Sequence, residues 1–163
     1  MSRPLSTAAD VHVDVEATWR ALTSPTWPAA LDAALGDGSH LVSHADTPGG
    51  GAVVVISRRL PEGIPGFLQS FTPQDGRVTQ TDTWGPAQDG SRHGTWAVTF
   101  PGSPGTISGE TSVEPLATGS RWSVRGTVAV KIPLIGGKVE GFLAPLVERL
   151  VARQAEVLRE QLG

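Results

Sequence analysis

Upstream of residue 133 apolar residues alternate with polar ones, and from Val139 onward they recur every third or fourth position. The chain therefore reads as strands closed by one long helix. In the helical stretch Val139, Phe142, Leu143, Leu146, Val147, Leu150, Val151, Leu158 and Leu162 share one face, and Glu148, Arg149, Arg153, Glu156, Arg159 and Glu160 occupy the rest. A helix over 137–163, roughly 25 residues, spans about 37 Å. Its apolar stripe needs an equally long cover, and only a large curved sheet offers one. Pro145 lacks an N–H and crowds the Gly141 carbonyl, which predicts a kink near 141–145.

The strands are marked by alternation and by their turns. Val11, Val13 and Val15 alternate with His12 and Asp14, predicting a short first strand with its valines inward. Two short helices follow over 16–22 and 25–35, with Ser24 as an N-cap before Pro25 and Gly36 as the stop. Six further strands, over 40–45, 52–60, 77–84, 94–100, 106–114 and 120–132, are rich in Val, Thr, Trp or Ile and separated by Gly, Pro and Asp turns. The stretch 64–71 breaks the pattern, because Phe67, Leu68 and Phe71 fall at helical spacing inside a polar loop. It reads as a short helical flap.

Bulk composition narrows the class. At 163 residues the expectation is one domain with a full core. A net charge of −3 without any basic block removes the electrostatic footprint of a nucleic-acid binder. The absence of cysteine excludes disulfides, thiolate metal sites and cysteine nucleophiles. Residues 1–10 hold no apolar core of a secretory signal, and the longest apolar run, 52–56, is far too short to span a bilayer. The expectation is a soluble, cytoplasmic protein with no membrane span.

The order strand, two short helices, six antiparallel strands and a long C-terminal helix resembles the helix-grip (SRPBCC) superfamily, which includes START lipid-transfer domains, pollen-allergen-like binders and polyketide cyclases. Local wording agrees. Val11-x-Val13-x-Val15-Glu16-Ala17-x-Trp19-x-x-Leu22 looks like that superfamily's opening, where a strand runs into a helix carrying an inward Trp. The run from Val130 to Glu140, with Pro133, Gly136, Gly137 and Lys138 at its centre, is similar to a branch known only as a domain of unknown function. The resemblance implies an α+β helix-grip fold, a seven-stranded antiparallel sheet wrapped around the terminal helix, and an internal cavity. It carries over Trp19, Trp84 and the 133–138 turn, and no catalytic residue.

Little in the sequence supports metal or hydrolytic chemistry. His40 and His44 are four apart, but on a strand that spacing is about 13 Å, too far for one ion to bridge. His12 alternates outward. Gly136-Gly137-Lys138 lacks the earlier glycine and the following Ser or Thr of a phosphate loop, and no Gly-x-Ser-x-Gly elbow occurs. The expectation is no cofactor and no metal.

Alternation points Val78, Gln80, Asp82 and Trp84 to the face that meets the helix. A buried carboxylate needs a partner or an upward pKa shift, and His93, Arg58 or Arg125 could serve. The pair reads three ways: internally satisfied, hydrogen-bonding a ligand, or acting as acid or base. Trp96, Val98 and Phe100, then Ile107, Thr111 and Val113, then Trp122, Val124, Val128, Val130 and Ile132 continue the inner face, opposite Phe142, Leu146 and Leu150. Taken singly these are core positions. Together, with small Gly109, Thr111 and Gly126 among them, they predict an incompletely filled interior. The expected ligand site is Trp19, Phe67, Phe71, Gln80, Asp82, Trp84, Trp96, Val98, Thr111, Trp122, Val128, Phe142 and Leu146. The function expected is binding or transport of a small hydrophobic, lipid- or polyketide-like molecule that enters beneath the flap. The alternatives are a cyclase- or aromatase-like enzyme using Asp82 with His93, and a protein-interaction domain without ligand.

Overall fold

Strand alternation and turn chemistry resolve into one antiparallel sheet and three α-helices in a computed structural model, which describes residues 2–60, 64–73, 75–100 and 105–163. Of Phe67, Ser70 and Phe71 it describes the backbone alone. The elements run β1 (Ser2–Val11), α1 (Val15–Thr23), α2 (Trp27–Leu35), β2 (His40–Thr47), β3 (Gly51–Arg59), a 3₁₀ turn (Gly66–Phe71), β4 (Arg77–Trp84), β5 (Arg92–Thr99), β6 (Gly105–Leu116), β7 (Gly119–Val130) and α3 (Gly136–Leu162). The sheet order is β1-β7-β6-β5-β4-β3-β2, so β2 to β7 form a meander and β1 returns to pair with β7. Helix α3 lies against β1 and β7, which gives the expected helix-grip architecture.

The first strand lies upstream of the expected one. Leu5, Ala9 and Val11 are its buried residues, and Val15 opens α1 instead of closing β1. The period-two signal was present at Leu5, Thr7, Ala9 and Val11, but small and hydroxylated residues obscured it. Asp14 is the reason the chain turns there: its Oδ1 accepts from the Ala17 N–H at 2.8 Å and caps the helix. Ser120 Oγ then donates to the Val13 carbonyl at 2.9 Å and shares a 2.8 Å hydrogen bond with Thr18 Oγ1. Both side chains are fully buried, so α1 is pinned to the start of β7.

Helix α2 starts two residues later than expected, with Thr26 at the cap and Ser24 ending α1. It stops at Gly36, whose φ of 65° is left-handed and suits glycine. Helix α3 has 27 residues, about 40 Å at 1.5 Å per residue, and remains helical through Pro145, which faces solvent. Its start is fixed by Glu140, 2% exposed, whose Oε2 accepts from the Val130 N–H at 2.9 Å. A Cβ at Gly136 would meet the Val130 carbonyl at 2.5 Å. The Val130 to Glu140 run is therefore a sheet-to-helix joint.

The paired glycines Gly109 and Gly126 do not leave the gap their size suggested. They lie opposite each other in β6 and β7, where a Cβ on Gly109 would meet the Arg125 carbonyl and the Gly126 backbone, and the Trp96 ring fills the space above Gly126. Trp96 Nε1 donates to the Glu110 and Arg125 carbonyls at 3.2 and 3.1 Å, an arrangement that only glycine beneath the ring permits.

Candidate functional site

The inner face of the sheet carries a short polar row among apolar neighbours. Register places Val54 beside Asp82, Ile56 beside Gln80 and Arg58 beside Val78, so Arg58, Gln80 and Asp82 share the face toward α3. Arg77, one position off in alternation, instead donates to Ser57 Oγ and to the Gly38 carbonyl.

Among the described residues, three spaces between sheet and helices bear on the site. An apolar cavity of about 60 Å³ is bounded by Ile64, Leu68 and Thr72 of the flap, by Phe100, Ile107, Val130 and Ile132, and by Val139, Phe142, Leu143 and Leu146 of α3. A central cavity of about 40 Å³ is lined by Leu22, Gln80, Asp82, Trp84, Trp96, Thr111, Trp122, Val124, Val151 and Gln154. A vestibule of about 460 Å³ opens among Leu35, Asp37, Arg58, Arg59, Leu60, Leu150, Arg153 and Gln154. Leu60 is a wall common to the vestibule and the apolar cavity, and Gln154 one common to the vestibule and the central cavity. The vestibule thus adjoins both inner spaces.

Electrostatics give the central end its character. Gln80 Nε2 donates to Asp82 Oδ1 at 2.9 Å and to Oδ2 at 3.2 Å. Burial pushes the Asp82 carboxyl above its ordinary 3.8, against the hydrogen bond from Gln80 and the more distant charge of Arg58. Burial likewise lowers the Arg58 guanidinium below its ordinary value, partly offset by Asp37 and Asp82. Arg58 Nε is buried and, among the described residues, finds no acceptor. On the opposite wall Trp122 Nε1 donates to Thr111 Oγ1 at 3.0 Å, which holds the indole in place.

The residues expected at the site divide. Gln80, Asp82, Trp84, Trp96, Thr111 and Trp122 meet at the central cavity, and Phe142 and Leu146 at the apolar one. Val98 and Val128 pack in the core and line none of the three spaces. The side chains of Phe67 and Phe71 lie outside the described residues, although the turn that carries them covers the apolar cavity. Trp19 also lines none of the spaces. Its ring lies under the Arg92 guanidinium, 3.7 Å from centroid to Cζ. Arg92, 6% exposed, donates to both Glu16 oxygens at 2.9 and 2.7 Å and to the Gly50 and Gly85 carbonyls at 2.7 and 3.3 Å. Trp19 therefore belongs to a clamp joining α1 to two strand turns.

Of the three suggested partners of Asp82, only Arg58 shares its face of the sheet, and it acts on the carboxyl through charge without an ion-pair contact. His93 is exposed on the outer face beside Glu110 and Arg125, and Arg125 pairs with Glu110 at 3.8 Å, so the Asp82 and His93 couple does not assemble. His40 and His44 lie on β2 as strand residues, and His40 Nδ1 is 3.0 Å from Arg77 Nη2. Among the described residues no group of three or more His, Asp or Glu side chains is placed to hold a metal ion. Sequence reading named Arg58 only as a possible partner and missed Arg153 and Gln154. Their signal was weak, since a cation on an inner sheet face and polar residues beside Val151 interrupt otherwise regular patterns.

The family described as "Protein of unknown function (DUF2505)" matches residues 6–162. The chain belongs to that family. Among curated proteins this DUF2505 chain is 28% identical over 159 residues to "Uncharacterized protein Rv0481c" of Mycobacterium tuberculosis, covering 93% of this chain and 91% of that one. Among solved structures it is similar to a START superfamily protein from Mycobacterium smegmatis, with a TM-score of 0.57 and 14% identity over 98% of this chain and 99% of that one. It is also similar to a Thalictrum norcoclaurine synthase point mutant in complex with a transition state analogue, with a TM-score of 0.62 and 12% identity over 100% and 98%. At these identities the likeness is one of fold, the helix-grip arrangement of sheet and long terminal helix. Among the described residues no helix is long and apolar enough to cross a membrane.

Proposed function

We propose that this DUF2505 protein binds or carries a small hydrophobic ligand between its sheet and α3. The observation that carries the reading is the vestibule of about 460 Å³ adjoining an apolar cavity beneath the flap. Pockets for small organic molecules generally measure about 300–1,000 Å³ and combine apolar walls with a few fixed polar groups. The vestibule falls within that range, while the apolar cavity, about 60 Å³, is far below it. A ligand is therefore seated in the vestibule, with its apolar part against Leu60, the wall the vestibule shares with the inner cavity. Native mass spectrometry of the expressed protein, with thermal-shift screening against fatty acids, sterols and polyketides, tests this. A retained or stabilising ligand supports the carrier reading, and a bare protein unresponsive to all three classes rejects it.

Asp82 supports a second reading, acid–base catalysis on such a ligand, because its carboxyl faces the cavity and burial raises its pKa. Without His93 the chemistry would rest on Asp82 alone. If Asp82→Asn keeps ligand binding but loses turnover, this reading replaces the carrier.

A further inference from the structure

We propose that the ligand is an organic carboxylate with an apolar body, and that Arg58 at the floor of the vestibule is the seat of its charged head. This inference rests on the carrier reading above and names the chemistry that the vestibule selects.

The argument starts from the cost of a poorly paired cation. Arginine stays protonated under essentially all conditions in which a protein folds, so placing it on the inner face of a sheet leaves a charge that wants a partner. Among the described residues no carboxylate is in ion-pair contact with Arg58, and its Nε is buried without an acceptor. The neighbouring arginines differ. Arg59 Nη2 donates to the Gly36 carbonyl at 2.7 Å, and Arg77 is engaged by Ser57 and Gly38. Arg58 thus has capacity to spare in a space large enough to admit a ligand.

Its surroundings specify the guest. Arg153 stands on the same vestibule from α3, and Gln154 offers an amide beside it. A guanidinium fork fits a planar carboxylate with two parallel hydrogen bonds, a geometry that a hydroxyl or ester cannot reproduce. Asp37 on the rim and Asp82 further in weigh against a dianion, which favours a singly charged head over a phosphate monoester. Leu35, Leu60 and Leu150 line the same vestibule and give the body of the ligand an apolar surface beside the head.

The test compares dodecanoate, dodecanol and dodecyl phosphate by calorimetric titration and tryptophan emission, using the full chain and Arg58→Met, with folding checked by circular dichroism. The expected result is at least tenfold tighter binding of the acid than of the alcohol, lost in R58M while alcohol binding is kept. Arg153→Gln, on an exposed helix position, narrows the preference several-fold and serves if R58M fails to fold. Equal binding of acid and alcohol by the native chain, or an acid preference that survives in folded R58M, overturns the role of Arg58 and leaves the carrier reading standing. Tighter binding of the phosphate overturns the choice of head group. Failure of all three to bind removes both this inference and the carrier reading for single-chain amphiphiles.

Discussion

Replacing Gly126 by alanine tests whether the tryptophan wall of the site is packed as described. A Cβ on Gly126 would lie 2.6 Å from Trp96 Cζ2 and 2.5 Å from the Ser108 carbonyl oxygen. Carbon atoms pack best at about 3.5–4.0 Å, so the ring or the strand must yield by about 1 Å. The backbone of β6 is held on both sides by the sheet, so the contact with the Ser108 carbonyl stays strained and only the ring is free to move. Trp96 is 6% exposed and its N–H is shared between two carbonyls, so retreat toward the central cavity breaks those bonds. Overpacking costs about 1–3 kcal/mol and a lost buried hydrogen bond about as much again. We expect a loss near 3 kcal/mol in urea unfolding, with Tm lower by about 6–12 °C at the usual conversion for a chain of this size. Near-UV circular dichroism should weaken as the indole loses its fixed place. Because one of the two clashes is with the ring, Trp96→Phe should absorb at least about 1 kcal/mol of the penalty in a double-mutant cycle, the Ser108 carbonyl contact accounting for the rest. A G126A protein within about 0.5 kcal/mol of the native chain, or an undiminished penalty in the W96F background, would refute the packing argument.

Three other changes probe the framework. Arg92→Met should cost about 3 kcal/mol, because the Gly50 and Gly85 carbonyls lose their donor. Glu16→Gln should cost no more than about 1 kcal/mol, since that carboxylate remains 47% exposed, and equal losses for the two would contradict the clamp. Thr111→Val strands the Trp122 indole N–H and should lower stability by about 1–3 kcal/mol in chemical denaturation, with Thr111→Ser losing less, whereas a T111V chain as stable as the native one would dismiss the bond. Asp82→Asn should raise Tm at pH 7. A carboxyl whose folded pKa is raised binds its proton more tightly when folded, so its ionisation subtracts stability as pH climbs from 3.8 through the folded value. The gain should vanish below about pH 3.8, and a gain independent of pH, or a loss at pH 7, would show that burial of the charge is not the cause.

The inner face of the sheet was legible because strand periodicity acts over a few residues. Alternation alone put Gln80, Asp82, Trp84, Trp96, Thr111 and Trp122 on one side, and heptad-like spacing put Phe142 and Leu146 opposite. The first strand was misplaced because Thr7 and Ala9 carry little hydrophobic signal, although their register against β7 buries Ala9 fully. Trp19 was read as lining the cavity, but whether its ring meets the ligand space or the Arg92 guanidinium depends on contacts 73 positions apart in the chain, from 92 less 19.

By itself the sequence determined the element order, the helix-grip fold and the inward residues, since each follows from local period, caps and turns. Only the tertiary structure decided where the interior stays open. The space above Gly126 is filled by a ring from β5, while Leu60, Arg58 and Gln154, from two elements and a loop, enclose the space that remains. Volume left between side chains is a difference between large packed quantities contributed by distant strands and helices, and no local pattern along the chain encodes it.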